Sequence, residues 1–350
     1  MSRAVRVSGV SLGTALLLAL TATTAAAAPH TPRVERISTA ADGSQADGAS
    51  SAAMITPNGR FAAFRSSATN LVPEGVTHPG TYSYVRDLRT GAVTKIENSL
   101  STPELSADGR FATYIDWGSR NINVFLTDLS TGERIRVGAP DGRDSSYAPA
   151  ISADGRYIAY RWSGHPQYPT RIDLYDRLTG TRETVSAGPQ DSTRDMDNPS
   201  ISGDGRLVAY QDEGTGDVWV ADRTAGTQSE ADDGTPSTVV QLSADGRMLA
   251  MDSADGSYVR DLRSGRVEHF PGAKVRAVSP DGRRVLLQDG QSNLWLRNVH
   301  GGREVLVGHG SAVGAAISDR GRSVVYSTAD ADVVPGDTNS VSDVFRWRSH

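Results

Sequence analysis

The sequence predicts an all-β fold, a seven-bladed β-propeller of four-stranded antiparallel blades whose ring is closed by the N-terminal strand. A short Ser-Ala-Asp-Gly-Arg phrase recurs seven times with variations, and a second phrase running from Asp to Gly recurs between its copies. Beyond the first residues, no stretch has a sustained helical period. A repeat of about 40–50 residues is typical of four-stranded propeller blades, so each copy marks one blade.

The first phrase places a tight turn between two apolar runs, as in the stretch 151–160. Asp-Gly between apolar runs is a strong hairpin signal. The glycines of the seven copies are Gly59, Gly109, Gly155, Gly205, Gly246, Gly282 and Gly321. Neighbouring copies lie 36 to 50 residues apart. Each copy is therefore predicted to join the first two strands of a blade, A and B.

The second phrase is a β-rich run that ends at Asp, with Gly four residues later, as at Asp87 and Gly91. Asp bonds its own backbone at turns and Gly accepts a positive φ, so this phrase predicts the hairpin between strands C and D. In the fourth unit the prediction places strand A at 199–202, strand B at 206–211 and strand C at 217–222.

The two ends of the repeat array complement each other. The seventh unit has a strand C at 343–347 but no strand D after it, whereas 33–38 has a strand D pattern ahead of the first unit. We therefore predict that strand 33–38 completes the last blade and closes the ring. Closure removes exposed sheet edges, which are an aggregation liability.

The first residues have the pattern of a signal peptide, with two arginines, an apolar run at 16–20 and small residues before a predicted cut. This gives a signal peptide at 1–27 and one propeller domain at 28–350. The apolar run is too short for a membrane span, and no later stretch reaches the roughly 18 apolar residues needed. The protein is predicted to be secreted: extracellular, or periplasmic where the cell has an outer membrane.

Composition narrows the functional classes. The chain has no cysteine, which excludes disulfides and a lipid-anchoring cysteine, and its net charge of −5 argues against nucleic acid as a partner. The expected partner is an envelope or extracellular protein, a peptide or a glycan, and the chain is expected to be a monomer.

The repeated phrases carry a family resemblance. Ser-Ala-Asp-Gly-Arg followed by an aromatic-rich strand and Asp-Leu-x-Thr-Gly resembles the TolB-like, WD-repeat-like β-propeller repeat of secreted bacterial proteins. Segments 67–73 and 332–339 resemble linkers of the same group. The α/β domain of the Tol–Pal component and the hydrolase domain of prolyl oligopeptidases have no counterpart in this sequence. The resemblance therefore implies the fold, and we expect the chain not to be a Tol–Pal TolB proper.

A candidate calcium site lies near the C-terminus. Asp337, Asn339 and Asp343 offer oxygen ligands at short spacing, which suits a hard cation. The alternative is that these residues only form turns. No other cofactor is expected.

Catalytic signals are sparse. The chain has no H-E-x-x-H motif, and the stretch 310–314 misses the G-x-S-x-G spacing by one residue. His78, His165 and His309 fall in loops of the same predicted face, which is open to two interpretations: a histidine metal site or chance placement.

An aromatic and acidic rim is predicted on the B–C and D–A loops of blades two to four. The residues expected to bind the ligand there are Trp117, Tyr147, Trp162, His165, Tyr168, Asp195 and Asp197. Loops on a rigid scaffold often carry binding residues, and exposed aromatics often anchor ligands. The alternative is that Trp162 and Tyr168 pack over the ends of the blade, since Trp is costly to expose.

These observations favour a non-enzymatic binding or scaffold protein that recognises its ligand through one loop face. The alternative is a secreted polysaccharide lyase or hydrolase with a polar central pocket. A pocket mouth with converging histidines or carboxylates would favour the enzyme, and a mouth of backbone and aromatic groups would favour binding.

Overall fold

A computed structural model describes Met1 and residues 33–349, apart from 77, 119, 139–142, 165–168 and 187–194. The predicted signal peptide lies outside the described residues except for Met1. Among the described residues, no helix is long and apolar enough to cross a membrane. Apart from a 3-10 turn at Asp319–Gly321, the regular structure described is all β.

Six blades are four-stranded antiparallel sheets, each built from consecutive strands. Blade one contains β2 (Ser50–Ile55), β3 (Phe61–Ser66), β4 (Tyr82–Asp87) and β5 (Val93–Ile96). Blade two contains β6 (Glu104–Leu105), β7 (Phe111–Trp117), β8 (Ile122–Asp128) and β9 (Arg134–Arg136). Blade three contains β10 (Ser145–Ile151), β11 (Tyr157–Ser163), β12 (Arg171–Asp176) and β13 (Thr181–Thr184).

The next three blades repeat this order. Blade four contains β14 (Met196–Ile201), β15 (Leu207–Asp212), β16 (Val218–Asp222) and β17 (Thr227–Glu230). Blade five contains β18 (Ser237–Leu242), β19 (Met248–Ser253), β20 (Gly256–Asp261) and β21 (Val267–Phe270). Blade six contains β22 (Ala273–Val278), β23 (Arg284–Asp289), β24 (Asn293–Asn298) and β25 (Val305–His309).

The seventh blade is closed by the N-terminal strand, as predicted. Its sheet runs from β26 (Ser323–Thr328) through β27 (Asp343–Arg348) to β1 (Arg33–Arg36), and β1 pairs antiparallel with β27. The innermost segment of this blade touches β26 through two isolated bridges, Ser311 to Ser327 and Ile317 to Val324. The seven-bladed all-β fold with N-terminal closure is therefore confirmed.

The innermost strands are interrupted by bulges. In blade four the pairing of β14 with β15 shifts register between Asp197 and Ser200, and Asn198 has a φ of 47°. Strand A of this blade was predicted to start at Pro199, but it starts at Met196 and carries Pro199 inside the bulge. A bulge leaves a residue without a ladder hydrogen bond, so a residue that lacks an N–H is tolerated there.

Each Asp-Gly turn packs against the preceding blade. In blades two, three and four, a Cβ atom on the glycine would lie 2.1 to 2.4 Å from an aromatic ring at the start of the preceding blade's second strand. The contacts are Gly109 on Phe61, Gly155 on Phe111 and Gly205 on Tyr157. The glycine therefore serves both the positive φ of the turn and the close contact between blades.

The two recurring phrases are joined by ion pairs. The Arg of the first phrase reaches the Asp that ends strand C of the same blade, at 2.5 to 2.8 Å. The pairs are Arg60–Asp87, Arg110–Asp128, Arg156–Asp176, Arg206–Asp222 and Arg247–Asp261. The hydrogen bond from Arg156 lowers the pKa of Asp176 to about 2. The same Asp also accepts backbone N–H bonds in its own turn, so the repeated acids are structural.

Candidate functional site

The centre of the ring is narrow on the face formed by the A–B turns. There the backbone of blades two to five is joined by hydrogen bonds from Ala107 N to Ala153 O, from Ala153 N to Gly203 O and from Gly203 N to Ala244 O, at 2.8 to 2.9 Å. A Cβ on Gly203 would lie 3.2 Å from the Cβ of Ala153 and 3.3 Å from that of Ala244. The central channel is therefore closed to a ligand on this face, and the opposite face is the one where the B–C and D–A loops lie.

The wall of the central channel is held by side chains that cross from one blade to the next. Glu104 Oε2 accepts a hydrogen bond from Ile151 N at 3.3 Å, and Gln241 Oε1 accepts one from Val278 N at 2.8 Å. Both acceptors line an apolar cavity of about 110 Å³. Burial raises the pKa of Glu104 to about 7, well above the ordinary value of a glutamate carboxyl group.

A cleft of about 940 Å³ opens on the loop face over blades five, six and seven. Its floor and walls come from the B–C loops and from the first residues of the innermost strands. The lining residues are Ala254, Asp255, Gly256, Gly272, Ala273, Lys274, Arg276, Gln288, Asp289, Gly290, Ser292, His309, Gly310, Ser311, Ser327, Thr328, Ala329 and Ser342. These residues are small or polar, and none of them is Phe, Tyr or Trp.

The side chain of Arg276 is held in place within the cleft by hydrogen bonds. The register of β22 on β23 shifts between Val275 and Ala277, so Arg276 is the extra residue of a bulge. Its Nε donates a hydrogen bond to Gln288 Oε1 at 2.6 Å, and Gln288 Nε2 donates to Gly310 O at 2.6 Å. Gln288 thus fixes the guanidinium to the wall of the cleft.

Two further nitrogen-bearing side chains line the same cleft as Arg276. Lys274 Nζ is 3.7 Å from Asp252 Oδ2, with its side chain 45% exposed. His309 Nδ1 is 2.7 Å from Asp330 Oδ2. The cleft therefore carries two permanent positive charges and a histidine whose ring is oriented by a carboxylate.

Asp289 is a structural acid at the edge of the cleft. It accepts hydrogen bonds from the backbone and side chain of Asn293 at 2.9 Å and from the indole of Trp295 at 3.2 Å. The Asn293 side-chain bond is the main cause that lowers the pKa of Asp289 to about 2. These neutral donors stabilise the carboxylate, which keeps its negative charge at the edge of the cleft.

The predicted aromatic rim lies on the same face but in other blades. Trp117 is 61% exposed at the end of β7. Trp162 is half-buried, and the guanidinium carbon of Arg171 lies 3.7 Å from its ring centre. Tyr147 pairs with Arg161 and is also half-buried.

Four residues of this rim were expected in loops but lie in strands. Trp117 ends β7 and Asp197 belongs to β14. Trp162 was expected in a loop but belongs to β11, where it pairs with Arg171, because the β11–β12 ladder continues to the tip of the hairpin. Tyr147 was expected in a D–A loop but lies in β10. His165 and Tyr168 lie outside the described residues. A ligand-binding role for this rim stays a prediction.

The acidic part of the rim surrounds one arginine. Asp197 Oδ2 is 3.0 Å and Glu213 Oε1 is 3.5 Å from Arg161 Nη1. A hydrogen bond that protonated Glu213 donates to Asp197 raises the pKa of Glu213. Asp195 Oδ1 accepts the N–H of Thr170 at 2.9 Å, so Asp195 also anchors the local backbone.

The residues of the calcium prediction lie at the closure of the ring, beside Arg36. Arg36 Nη2 is 3.4 Å from Asp337 Oδ2, and Arg36 Nε is 2.9 Å from Asp343 Oδ2. Asn339 Nδ2 donates to Ala46 O at 2.7 Å. A calcium ion here would share these carboxylates with a guanidinium, and its binding stays a prediction.

The three histidines predicted on one face do not form a described metal site. His309 is bonded to Asp330, His78 is exposed, and His165 lies outside the described residues. The described side chains do place the oxygens of Asp217, Glu230 and Asp232 within 4.8 Å of one another. Both carboxylate oxygens of Asp232 already accept backbone N–H bonds.

Sequence reasoning missed the cleft over blades five to seven. The signal available was Lys274-Val275-Arg276, two basic residues in an innermost strand, whereas the innermost strands of blades one to five contain neither Lys nor Arg. A bulge was needed to turn Arg276 towards the cleft, and bulges are not visible in the alternation of apolar residues.

Comparisons with known proteins agree with the fold. No protein-family model matches the chain. It is 30% identical to the Tol-Pal system protein TolB of Francisella tularensis subsp. tularensis (strain WY96-3418) over 79 residues, which cover 23% of this chain and 17% of that protein. The match therefore spans less than a fifth of the curated relative.

Solved structures extend the likeness over most of the chain. An oligogalacturonate lyase in complex with manganese has a TM-score of 0.61 at 14% identity, covering 91% of this chain and 93% of that one. An oligogalacturonate lyase from Vibrio parahaemolyticus has a TM-score of 0.64 at 14% identity, covering 92% and 94%. The TolB-like propeller predicted from the repeats is confirmed at the level of fold, and identities this low establish the fold alone.

Proposed function

We propose that this chain is an exported, non-enzymatic binding protein that recognises a peptide, protein or glycan through the face formed by its B–C and D–A loops. The observation that carries the proposal is the cleft of about 940 Å³ on that face. Ligand sites are typically concave and of this size, with a few polar groups fixed in place. The propeller supplies the rigid scaffold on which such loops act.

The polar groups of the cleft support recognition. Gln288 is held by hydrogen bonds to Arg276 and Gly310, so the groups that would meet a ligand are already ordered. Ordering before binding lowers the entropy cost of association. The other parts of the proposal are removal of 1–27 as a signal peptide, a monomeric propeller over 28–350, and a partner in the envelope or the medium.

The proposal is tested by filling the cleft. Gly290 lines the cleft, its φ lies outside the left-handed region, and a Cβ there would have no atom within 4 Å. Gly290→Tyr should therefore fill the space without straining the backbone. The matched control is Gly80→Tyr, in the B–C loop of blade one, where a Cβ would be 3.7 Å from Tyr82.

Wild type and both variants are applied to peptide and glycan arrays. We expect wild type and Gly80→Tyr to retain the same ligands and Gly290→Tyr to lose them, with equal melting temperatures. If Gly290→Tyr binds its ligands as well as wild type does, the ligand binds outside the cleft and the proposal is overturned.

The alternative function is a secreted polysaccharide lyase or hydrolase. It is favoured by the fold likeness to two oligogalacturonate lyases and by the His309–Asp330 pair at the cleft. A histidine oriented by a carboxylate can act as a general base, and a nearby cation can stabilise the resulting anion. Lys274 and Arg276 line the same cleft and would provide that charge.

Turnover separates the two functions. Wild type and His309→Gln are incubated with oligogalacturonate, and the absorbance of unsaturated products is followed. Product formed by wild type and lost in His309→Gln would replace the binding proposal with the lyase. The binding proposal expects no product from either protein.

A further inference from the structure

We infer that Arg276 anchors a carboxylate of an acidic peptide segment bound in the cleft over blades five to seven. The inference rests on the proposed binding function and assigns its ligand class and its central contact. Four features of the described residues lead to it: the bulge, the hydrogen bonding of the guanidinium, the charge beside it and the chemistry of the lining.

The bulge sets Arg276 apart from its counterparts. Described innermost strands of five blades have a register shift near the loop face. The residues skipped at these shifts are Ala52, Ala53, Ala148, Pro149, Asn198, Pro199, Val240 and Arg276. Of these, only Arg276 is charged. Bulges are enriched next to binding sites because they re-aim a side chain.

The Arg276 guanidinium is hydrogen-bonded within the protein through one nitrogen, and its other two nitrogens make no such bond among the described residues. Its Nε is bonded to Gln288, whereas within the described part of the chain Nη1 and Nη2 make no hydrogen bond or ion pair. Because Arg276 lines the cleft and only its Nε is bonded, Nη1 and Nη2 are the donors left for a ligand. Arginine binds carboxylates through two parallel N–H bonds, and such charge-assisted pairs are about twice as strong as neutral ones.

Arg276 is the cation of the cleft without a carboxylate partner among the described residues. Lys274 lies two residues away in the same strand, but its Nζ is already 3.7 Å from Asp252 Oδ2. Asp255 and Asp289 also line the cleft, and both make it selective for a ligand group that can reach Arg276. A ligand carboxylate would therefore be bound by the Nη atoms of Arg276.

The lining favours a peptide over a sugar. Four glycines line the cleft, Gly256, Gly272, Gly290 and Gly310, and leave backbone groups accessible to another backbone. The lining contains no Phe, Tyr or Trp, whereas large ring faces are the usual means of burying a flat ligand surface. Main-chain hydrogen bonds supply affinity when an extended peptide is recognised.

The test uses three fluorescent probes and four proteins. The probes are a decapeptide of alternating Glu and Gly, the same peptide with Gln for Glu, and a linear oligomer of galacturonic acid. The proteins are wild type, Arg276→Gln, Arg276→Lys and the control Arg283→Gln. Arg283 is 79% exposed in the A–B turn of the same blade, so the control removes the same charge from the opposite face.

We expect wild type and Arg283→Gln to bind the Glu peptide equally and at least tenfold more tightly than the Gln peptide. Arg276→Gln should lose at least tenfold in affinity for the Glu peptide, and Arg276→Lys should fall between them because lysine lacks the planar fork. Melting temperatures verify that all four proteins are folded.

Three results would overturn the inference. They are equal affinity of Arg276→Gln and wild type for the Glu peptide, tighter binding of the galacturonic acid oligomer than of the Glu peptide, and no binding of any probe. None of these results removes the proposed function if Gly290→Tyr still abolishes array binding, so the two failures are distinguishable.

Discussion

The Nε atom of Arg36 lies 2.9 Å from Oδ2 of Asp343, and this ion pair joins the N-terminal segment to the last strand of the ring. The two side chains are 9% and 0% exposed. Ser38 Oγ donates to the other oxygen of Asp343 at 2.6 Å, and Gln45 Nε2 donates to Oδ2 at 2.9 Å. Asp343 therefore holds three residues of the N-terminal segment in the seventh blade.

Asp343→Asn is expected to lower the free energy of unfolding by about 1–3 kcal/mol, because it removes the nearer of the two carboxylates paired with the buried Arg36 and leaves only Asp337, at 3.4 Å. Urea unfolding of both proteins measures the difference. Asp332→Asn, at an exposed position of the same chain region, is the control and should change stability by less than about 0.5 kcal/mol. Similar values for the two variants would show that the pair does not hold the closure.

Calcium binding at Asp337 and Asp343 has to compete with Arg36. We therefore expect millimolar calcium to raise the melting temperature of Arg36→Gln more than that of wild type, since a ligand of the folded state stabilises it by mass action. Both proteins are melted in calcium and in chelator. A variant that melts at the same temperature in both would leave these acids with turn and ion-pair roles only.

Gly155→Ala is expected to be more destabilising than Gly180→Ala by about 1–3 kcal/mol. Both glycines have a φ near 70°, so both variants carry the cost of a left-handed backbone. Only at Gly155 would the new methyl group meet a ring, 2.4 Å from Cδ2 of Phe111, whereas Gly180 has no atom within 4 Å. Denaturant unfolding measures both. Equal losses would mean that the contact between blades is easily relaxed.

Glu104 is expected to make stability depend on pH. Burial raises its pKa from about 4.5 to about 7. As the pH rises, the unfolded chain therefore ionises first, and stability falls between about pH 4.5 and 7 and stays reduced above that range. Glu104→Gln keeps an acceptor for the N–H of Ile151 and should be more stable than wild type at pH 8 by on the order of 2 kcal/mol, with no gain at pH 4. A gain that is the same at both pH values would contradict the raised pKa.

The aromatic rim is best probed at Trp117 and Trp162 together. Trp117→Ala removes a ring that is 61% exposed, so retention of ligand should fall with little change in melting temperature. Trp162→Ala also removes the ring stacked with Arg171, so it should lower both retention and stability. Binding assays and thermal melts on the two variants test this. If both variants retain the ligand as wild type does, the two tryptophans have a packing role only.

The repeats allowed the blade number, the hairpins and the ring closure to be predicted because turn chemistry is local. Asp-Gly and Asp-to-Gly phrases fix the turns wherever they occur, and the absence of an outer strand after 343–347 pointed to 33–38. The cleft could not be predicted in the same way. The orientation of Arg276 depends on a register shift between β22 and β23, and its hydrogen bond with Gln288 joins two different strands.

Gly155 is a second position at which the sequence alone does not give the reason for the residue. The sequence indicates a residue that accepts a positive φ, but the reason that no other residue fits lies in Phe111 of the preceding blade. Trp162 was placed in a loop because its neighbours include Gly and Pro, whereas the ladder with β12 extends the strand through it. Contacts between elements decided both outcomes.

Closure by β1 has a consequence for the order in which the chain folds. Ser38 and Asp343 are 305 residues apart in sequence, so their contact forms only after nearly the whole chain has been synthesised. Contacts between distant residues slow folding, because the entropy of closing a long loop is lost before the contact forms. The first six blades can pair their strands locally as they emerge, whereas β1 has no strand partner until β27 has been synthesised. Until then the ring of the nascent protein is not closed, and the strands at its two ends are unpaired. We expect the chain to be most prone to association with other chains during this interval.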